Sequence, residues 1–246
     1  MINIKVLLLK EFLIIKNSFL KYFFILFFFP LSLYLFLSIP LSIVIYDMKP
    51  IYIVWSSIGI CLVSCLYLVY ILCFSFCSRN HNSNLMKSTP VLSYEYLLAK
   101  YLYAIFIGTL QLIISIIISS SLNADYLTFF NLFKLYIVMI PSILIICNIS
   151  YLFSRVIVNN IFLNIINLFV FIFISFGFGS FIPLSKFPVY YSNIVQYFPV
   201  SSTIVNCQRI ISNESILYNL LFVSFFYVII LSFINLLLID KSISNN

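Results

Sequence analysis

The sequence predicts an all-α integral membrane protein: six transmembrane helices, an N-terminal interfacial amphipathic helix, and a re-entrant segment between spans five and six. Three observations carry that expectation. Of 246 residues, 64% are apolar and 8% charged, with a mean hydropathy of +1.18, whereas a soluble domain is about half apolar and about a quarter charged. Six apolar runs approach the roughly 20 residues that a helix needs to cross the hydrocarbon. Only short polar or proline-bearing stretches separate them, so residues 1–246 read as one transmembrane domain. This composition excludes a disordered chain, a secreted disulfide scaffold and a nucleic-acid binder.

The first element, residues 2–21, is apolar but interrupted by Lys5, Lys10, Glu11, Lys16 and Lys21. At about 100° per residue, Ile4, Leu8, Phe12, Ile15 and Phe19 share one arc. Asn3, Lys10, Glu11, Asn17, Ser18 and Lys21 share another, with Leu7 and Ile14 among them. This predicts a helix lying on the membrane with its lysines toward anionic headgroups; the alternative is a charged lead-in to the first span. No short apolar region ends in a small-residue cleavage site, so a cleaved signal peptide is not expected.

Span one covers about 22–45, with Pro30 and Pro40 tolerated as they are in membrane helices. Asp47, Lys49 and Pro50 form a tight turn before span two, about 51–76. The longest polar stretch, SRNHNSNLMKSTP over residues 78–90, leads into span three, about 94–118. A short polar loop, Ser119 to Asp125, precedes span four at 133–153. Arg155, Asn159 and Asn160 mark a turn into span five at 161–178. A semi-apolar segment with Pro183, Pro188 and Pro199 then precedes the last span, 216–239.

Orientation follows from the positive-inside rule. With the N-terminus inside, the inner side holds Lys5, Lys10, Lys16, Lys21, Arg79, Lys87, Lys100, Arg155 and Lys241, and the outer side Lys49, Lys134, Lys186 and Arg209. Both termini and the 78–93 loop are then cytoplasmic, and the 181–201 segment faces out.

Ion-driven carriers need ionisable groups at membrane depth, and the predicted span centres lack Asp, Glu, Lys, Arg and His; Glu95 and Lys100 stand at the start of span three. The one histidine, His81, reads as a solvated loop residue. No catalytic set and no metal ligands are expected. Of the six cysteines, Cys61, Cys65, Cys73, Cys77 and Cys147 fall within apolar runs and read as small packing residues rather than bridges or ligands. The four glycines, Gly59, Gly108, Gly177 and Gly179, form no phosphate-binding loop. If ATP drives this chain, a separate subunit must supply it, and the 78–93 loop is the sizeable docking surface besides the N-terminal helix.

The stretch from Arg79 to Lys100, RNHNSNLMKSTPVLSYEYLLAK, resembles the loop between spans two and three of type-two ATP-binding-cassette exporter permeases. There an Arg, polar residues, two apolar residues and a small-Pro-Val turn are followed by a Lys about ten residues on. Leu85 and Met86 stand for the apolar pair, Thr89, Pro90 and Val91 for the turn, and Lys100 for the later cation. The family's glutamates are replaced by Asn82, Ser83 and Asn84. A second stretch, residues 176–210, is similar to the family's outer segment: Gly179, Phe181, Pro183, Leu184, Phe187, Pro188, Phe198, Pro199 and Arg209 fill its pattern.

The resemblance implies the membrane subunit of an ATP-driven exporter in the cytoplasmic (inner) membrane of a bacterium. Two permease subunits would each contact an ABC ATP-binding subunit, which holds ATP and Mg; this chain needs no cofactor. Arg79, Leu85, Met86, Lys87, Pro90, Glu95 and Lys100 would couple to that subunit. Gly179, Pro183, Leu184, Pro188, Pro199 and Arg209 would shape an outer gate. Cargo would be lipophilic, drug-like, lipid or glycan, with Tyr34, Tyr52, Tyr67 and Tyr70 as candidate path-lining rings. The other reading is a non-transporting anchor or assembly subunit that recruits a cytoplasmic partner.

Overall fold

The structure is a computed structural model that describes residues 2–45, 51–82, 92–122, 129–156 and 160–244. Those residues are helical apart from short turns, with no strand among them. In chain order the helices are α1 (Ile2–Asn17), α2 (Phe19–Leu33), a π turn (Tyr34–Ser38), α3 (Ile39–Val44), α4 (Tyr52–Asn82), α5 (Ser93–Leu122) and α6 (Phe129–Val156). Then come α7 (Asn160–Ile172), a π turn (Phe173–Gly177), a 3-10 turn (Leu184–Lys186), α8 (Val189–Val195), α9 (Ser201–Ile211) and α10 (Tyr218–Ser244). Five helical stretches are long and apolar enough to cross a membrane: Phe19–Val44, Tyr52–Ser78, Ser93–Ser121, Asn131–Val156 and Tyr218–Lys241. The expected fifth span is a shorter apolar helix, Ile161–Gly177.

The core forms around α4. Of its most apolar window, 83% is buried, against 22% for the first span and 17% for the last. The cause is its run of small residues, which lets neighbouring backbones approach. Ser64 and Ser115 share a hydrogen bond of 2.8 Å between α4 and α5, and the Cys65 thiol donates to the Gly108 carbonyl at 3.5 Å. Gly108 would place a Cβ 2.8 Å from Ile143 Cδ1 of α6, so the three helices meet there with little room. The six cysteines are all buried thiols, consistent with packing.

Proline 30 lies inside α2 without ending it. It has no N–H to give the Leu26 carbonyl four residues back, and the Gln111 side-chain amide of α5 donates to that carbonyl instead, at 3.3 Å. Gln111 also donates to Ser115 at 3.1 Å. A backbone group freed by proline in a membrane helix is thus satisfied from a neighbouring helix.

Several boundaries differ from the sequence expectation. The N-terminal helix ends at Asn17, and the next begins at Phe19 after a break at Ser18 (φ −116°). The polar stretch from 78 onward does not begin as a loop, because α4 continues through Asn82. No glycine or proline interrupts 78–82, so the helix is free to run on. In α1, Glu11 was expected on the polar, outward arc; it is fully buried. The side of α1 that holds Glu11 faces the bundle, because Leu7, Ile15 and Leu8 beside it pack on the core, while Phe12 lies edge-on to Phe106 of α5 at 4.8 Å between ring centroids.

Candidate functional site

Two regions concentrate polar chemistry, one at each end of the bundle. At the end where α4, α6 and α10 finish and α5 begins, Lys100 is the central group. Its ammonium is wholly buried, 4.7 Å from the Tyr151 ring centroid and 5.7 Å from that of Tyr101. It has no hydrogen-bond acceptor among the described residues. Cation–π attraction is what the fold offers it in exchange for water. The Arg155 guanidinium donates to the Tyr151 hydroxyl through Nη2 at 2.7 Å and Nε at 3.1 Å. Tyr151 therefore holds two cations, one at its ring and one at its hydroxyl.

A second polar knot lies beside it. The Tyr101 hydroxyl donates to Asn148 Oδ1 at 2.9 Å and is 2.5 Å from the Ser232 hydroxyl. Asn235 Nδ2 donates to Asn148 Oδ1 at 2.7 Å. Ser93 bonds to the Asp240 carboxylate. These contacts fasten the second half of α10 to α5 and α6. Glu95 is buried in the first turn of α5, where the Leu92 N–H approaches its carboxylate at 3.5 Å. An acidic group there also suits the positive end of the helix dipole.

At the other end the chain leaves α7 through its π turn and passes Gly179, the 3-10 turn, α8 and α9 before α10, a segment referred to below as the cap. Gly179 has φ +88°, a conformation that side-chain-bearing residues rarely adopt. Its carbonyl accepts from Gln208 Nε2 at 2.6 Å. The Tyr52 hydroxyl of α4 donates to the Phe181 carbonyl at 2.8 Å, and the Tyr191 hydroxyl to the Gly177 carbonyl at 3.0 Å. Gly59 of α4 lies so close to this segment that a Cβ there would fall 2.2 Å from the Ser180 carbonyl oxygen. Asn206 and Leu217 exchange two hydrogen bonds across the turn from α9 to α10, at 2.9 and 3.2 Å.

The residues expected to form the gate divide between two roles. Pro183 precedes the 3-10 turn and Pro188 precedes α8, each fixing the backbone before a helix. Pro199 stands just before α9, and Leu184 packs 2.9 Å from where a Gly179 side chain would begin. Arg209 instead closes a local turn: it donates to the Ser215 carbonyl at 2.8 Å and pairs with Glu214 at 3.0 Å.

Of the expected coupling set, Leu85, Met86, Lys87 and Pro90 lie outside the described residues. Arg79 is on the last turns of α4, with its side chain outside them too. Lys100 is not a surface cation at the start of a span; it is inside an apolar helix and buried, so it does not face a docking partner directly. Tyr34, Tyr52 and Tyr70 are buried in the packed core, and half-buried Tyr67 packs on Phe29 and Phe171. They do not line an open path within the single chain. A cavity of about 390 Å³ does open between α5 and α6, lined by Leu112, Ile113, Ile116, Leu132, Phe133 and Tyr136 among others. Gly59 and Tyr52 were missed as cap anchors; the sequence signal was a lone glycine in an apolar run, which often marks close backbone approach. Neither a protein-family model, a curated protein nor a solved structure matches this chain.

Proposed function

We propose that this chain is the membrane subunit of an ATP-driven exporter, working as one of two permease subunits with separate ATP-binding subunits. The observation that carries the reading is the cap: a proline-divided stretch that passes Gly179 and is bonded back to α4 and α9. A segment of this kind between two membrane helices is suited to close a path from the outer side. Irregular backbone at that depth is tolerated where protein satisfies it, and here Phe181, Gly179 and Gly177 carbonyls all have side-chain donors.

The contacts also support a sixth crossing by α7 and its π turn. Tyr151, near the end of α6, meets Tyr96, which meets Phe76 toward the far end of α4; Phe171 meets Tyr67 midway, and Phe181 is bonded to Tyr52 at its start. The stretch between them therefore follows the length of α4. Residues 160–177 rise about 27 Å at 1.5 Å per residue, close to the roughly 30 Å of hydrocarbon. Six crossings put both termini on one side and the cap on the other, and the Lys/Arg balance favours the cytoplasm for the termini.

Transport by this chain is a rigid-body shift of packed helices, with no covalent step. ATP hydrolysis belongs to the partner and reaches the spans through the 78–93 stretch and α1. Lys100 and Arg155, both on Tyr151, would carry that push into α5 and α6 as positioning residues. Cargo is lipophilic: the polar groups found here are engaged in helix packing, and the open cavity between α5 and α6 is apolar. The non-transporting anchor remains the second reading, favoured by the absence of glutamates ahead of Leu85.

ATP turnover of the complex in lipid nanodiscs tests this, comparing wild type with the pair Arg79→Glu, Lys87→Glu. The exporter reading expects a stable complex whose turnover falls at least tenfold in the variant. A complex that binds but never couples turnover to this chain supports the anchor. Failure to associate with any phosphate-loop ATPase overturns the exporter reading and leaves the anchor in its place.

A further inference from the structure

The helix α1 keeps one arc uncovered by the fold. At about 100° per residue, Lys5, Lys16, Leu9, Leu13 and Val6 fall in that order within about 100° of one another, and all five are exposed. The opposite side holds buried Glu11, with Leu7, Ile15 and Leu8 packed on the core, and Phe12, edge-on to Phe106 of α5, stands between that side and Lys5. Lys5 and Lys16 are about 20° apart around the axis and about 16 Å apart along it. They line one edge of an apolar strip formed by Val6, Leu9 and Leu13, which are 59%, 49% and 55% exposed.

Three large apolar side chains side by side are not stable against water, and two ammonium groups are not stable in hydrocarbon. The boundary between headgroups and acyl chains satisfies both, with the lysine stems reaching up along the strip. The helix is held at that boundary, because one residue after its end the chain enters a 26-residue apolar stretch. An acidic face of a soluble partner would match the two lysines but leave the strip without hydrocarbon beneath it.

We propose that this arc of α1 is a binding surface for anionic phospholipids, with Lys5 and Lys16 each engaging a headgroup phosphate and Val6, Leu9 and Leu13 inserted among the acyl chains. The assignment rests on the membrane reading of the chain alone and holds with or without an ATPase partner.

Native mass spectrometry of the full chain, titrated with phosphatidylglycerol or phosphatidylcholine, tests it. Wild type, Lys5→Gln/Lys16→Gln and Lys5→Arg/Lys16→Arg are compared; none of these changes touches the side packed on the core, and thermal midpoints confirm that each variant is folded. Wild type is expected to bind phosphatidylglycerol more tightly than phosphatidylcholine. The double Gln variant loses about 25-fold of that affinity, roughly fivefold per lysine, while phosphatidylcholine binding is unchanged and the Arg variant keeps the preference. Equal affinity of wild type for both lipids, or an unchanged preference in the Gln variant, overturns the proposal. Unchanged lipid binding together with lost capture of the ATP-binding subunit assigns the arc to that protein instead.

Discussion

Replacing Gly59 with alanine probes the contact that joins the cap to the bundle. The added Cβ would sit 2.2 Å from the Ser180 carbonyl oxygen and 3.0 Å from its carbon. Both are backbone atoms, so no rotamer change relieves the clash. An ordinary contact needs about 1 Å more separation, and that shift must move α4 or the whole 178–182 backbone. The Tyr52 hydroxyl bond to Phe181, one residue on, is 2.8 Å and would be stretched by the same movement. Overpacking of this kind costs about 1–3 kcal/mol, and the lost hydrogen bond adds about 1 kcal/mol. For a chain of this size 1 kcal/mol moves the thermal midpoint by about 2–4 °C, so Gly59→Ala is expected to lower it by roughly 5–15 °C in a detergent or nanodisc melt at fixed scan rate. Gly108→Ala is the internal control. Its Cβ meets the end of the Ile143 side chain at 2.8 Å, which can rotate away, so its midpoint should fall by less than about 4 °C. Equal midpoints for wild type and Gly59→Ala would falsify the close approach of α4 to the cap.

Three further outcomes follow from the polar groups. Lys100→Met, which keeps the chain length and removes a buried charge that has no acceptor, should leave the thermal midpoint equal or raised; Lys100→Glu should lower it by more than 5 °C, by roughly 3 kcal/mol. In a double-mutant cycle, Asn235→Leu alone should cost about 1 kcal/mol by removing its hydrogen bond to Asn148 Oδ1, and the loss in the Asn148→Leu, Asn235→Leu pair should be smaller than the sum of the two single losses. Gln111→Leu should destabilise the first span by leaving the Leu26 carbonyl unpaired, and Pro30→Ala in the same chain should restore the midpoint by returning an N–H to that carbonyl.

The sequence made the architecture legible because lipid solvates apolar surface, so long apolar runs report helices almost one for one. What it concealed were helix ends set by contact rather than composition. The α4 helix runs through Asn82 because polar residues end a membrane span without ending a helix. In α1 the imperfect separation of polar from apolar residues had a physical source. One apolar side meets α5 and the other stays exposed, so Glu11 fell on the wrong arc when one apolar face was assumed. Lys100 was misjudged for a related reason. A charge near the start of a span reads as surface, yet here Tyr151 and Tyr101 of packed helices enclose it. The cap was partly visible through Gly179 and its prolines, but its anchors Tyr52 and Gly59 stand more than a hundred residues earlier, beyond the reach of local pattern. The Gln111 bond to Leu26 was equally invisible, since proline advertises an orphaned carbonyl but not the donor that satisfies it.

The sixth crossing is the claim on which the outer cap, the paired termini and the exporter reading all depend, and vectorial cysteine labelling tests it most directly. The native cysteines are all buried, so background reaction with a membrane-impermeant maleimide is low. Val156→Cys, exposed at the end of α6, and Lys186→Cys, in the exposed turn before α8, are labelled in intact cells and again after permeabilisation. The account predicts that Lys186→Cys reacts in intact cells and Val156→Cys only after permeabilisation. The same response from both sites would contradict it, because α7 would then not separate them.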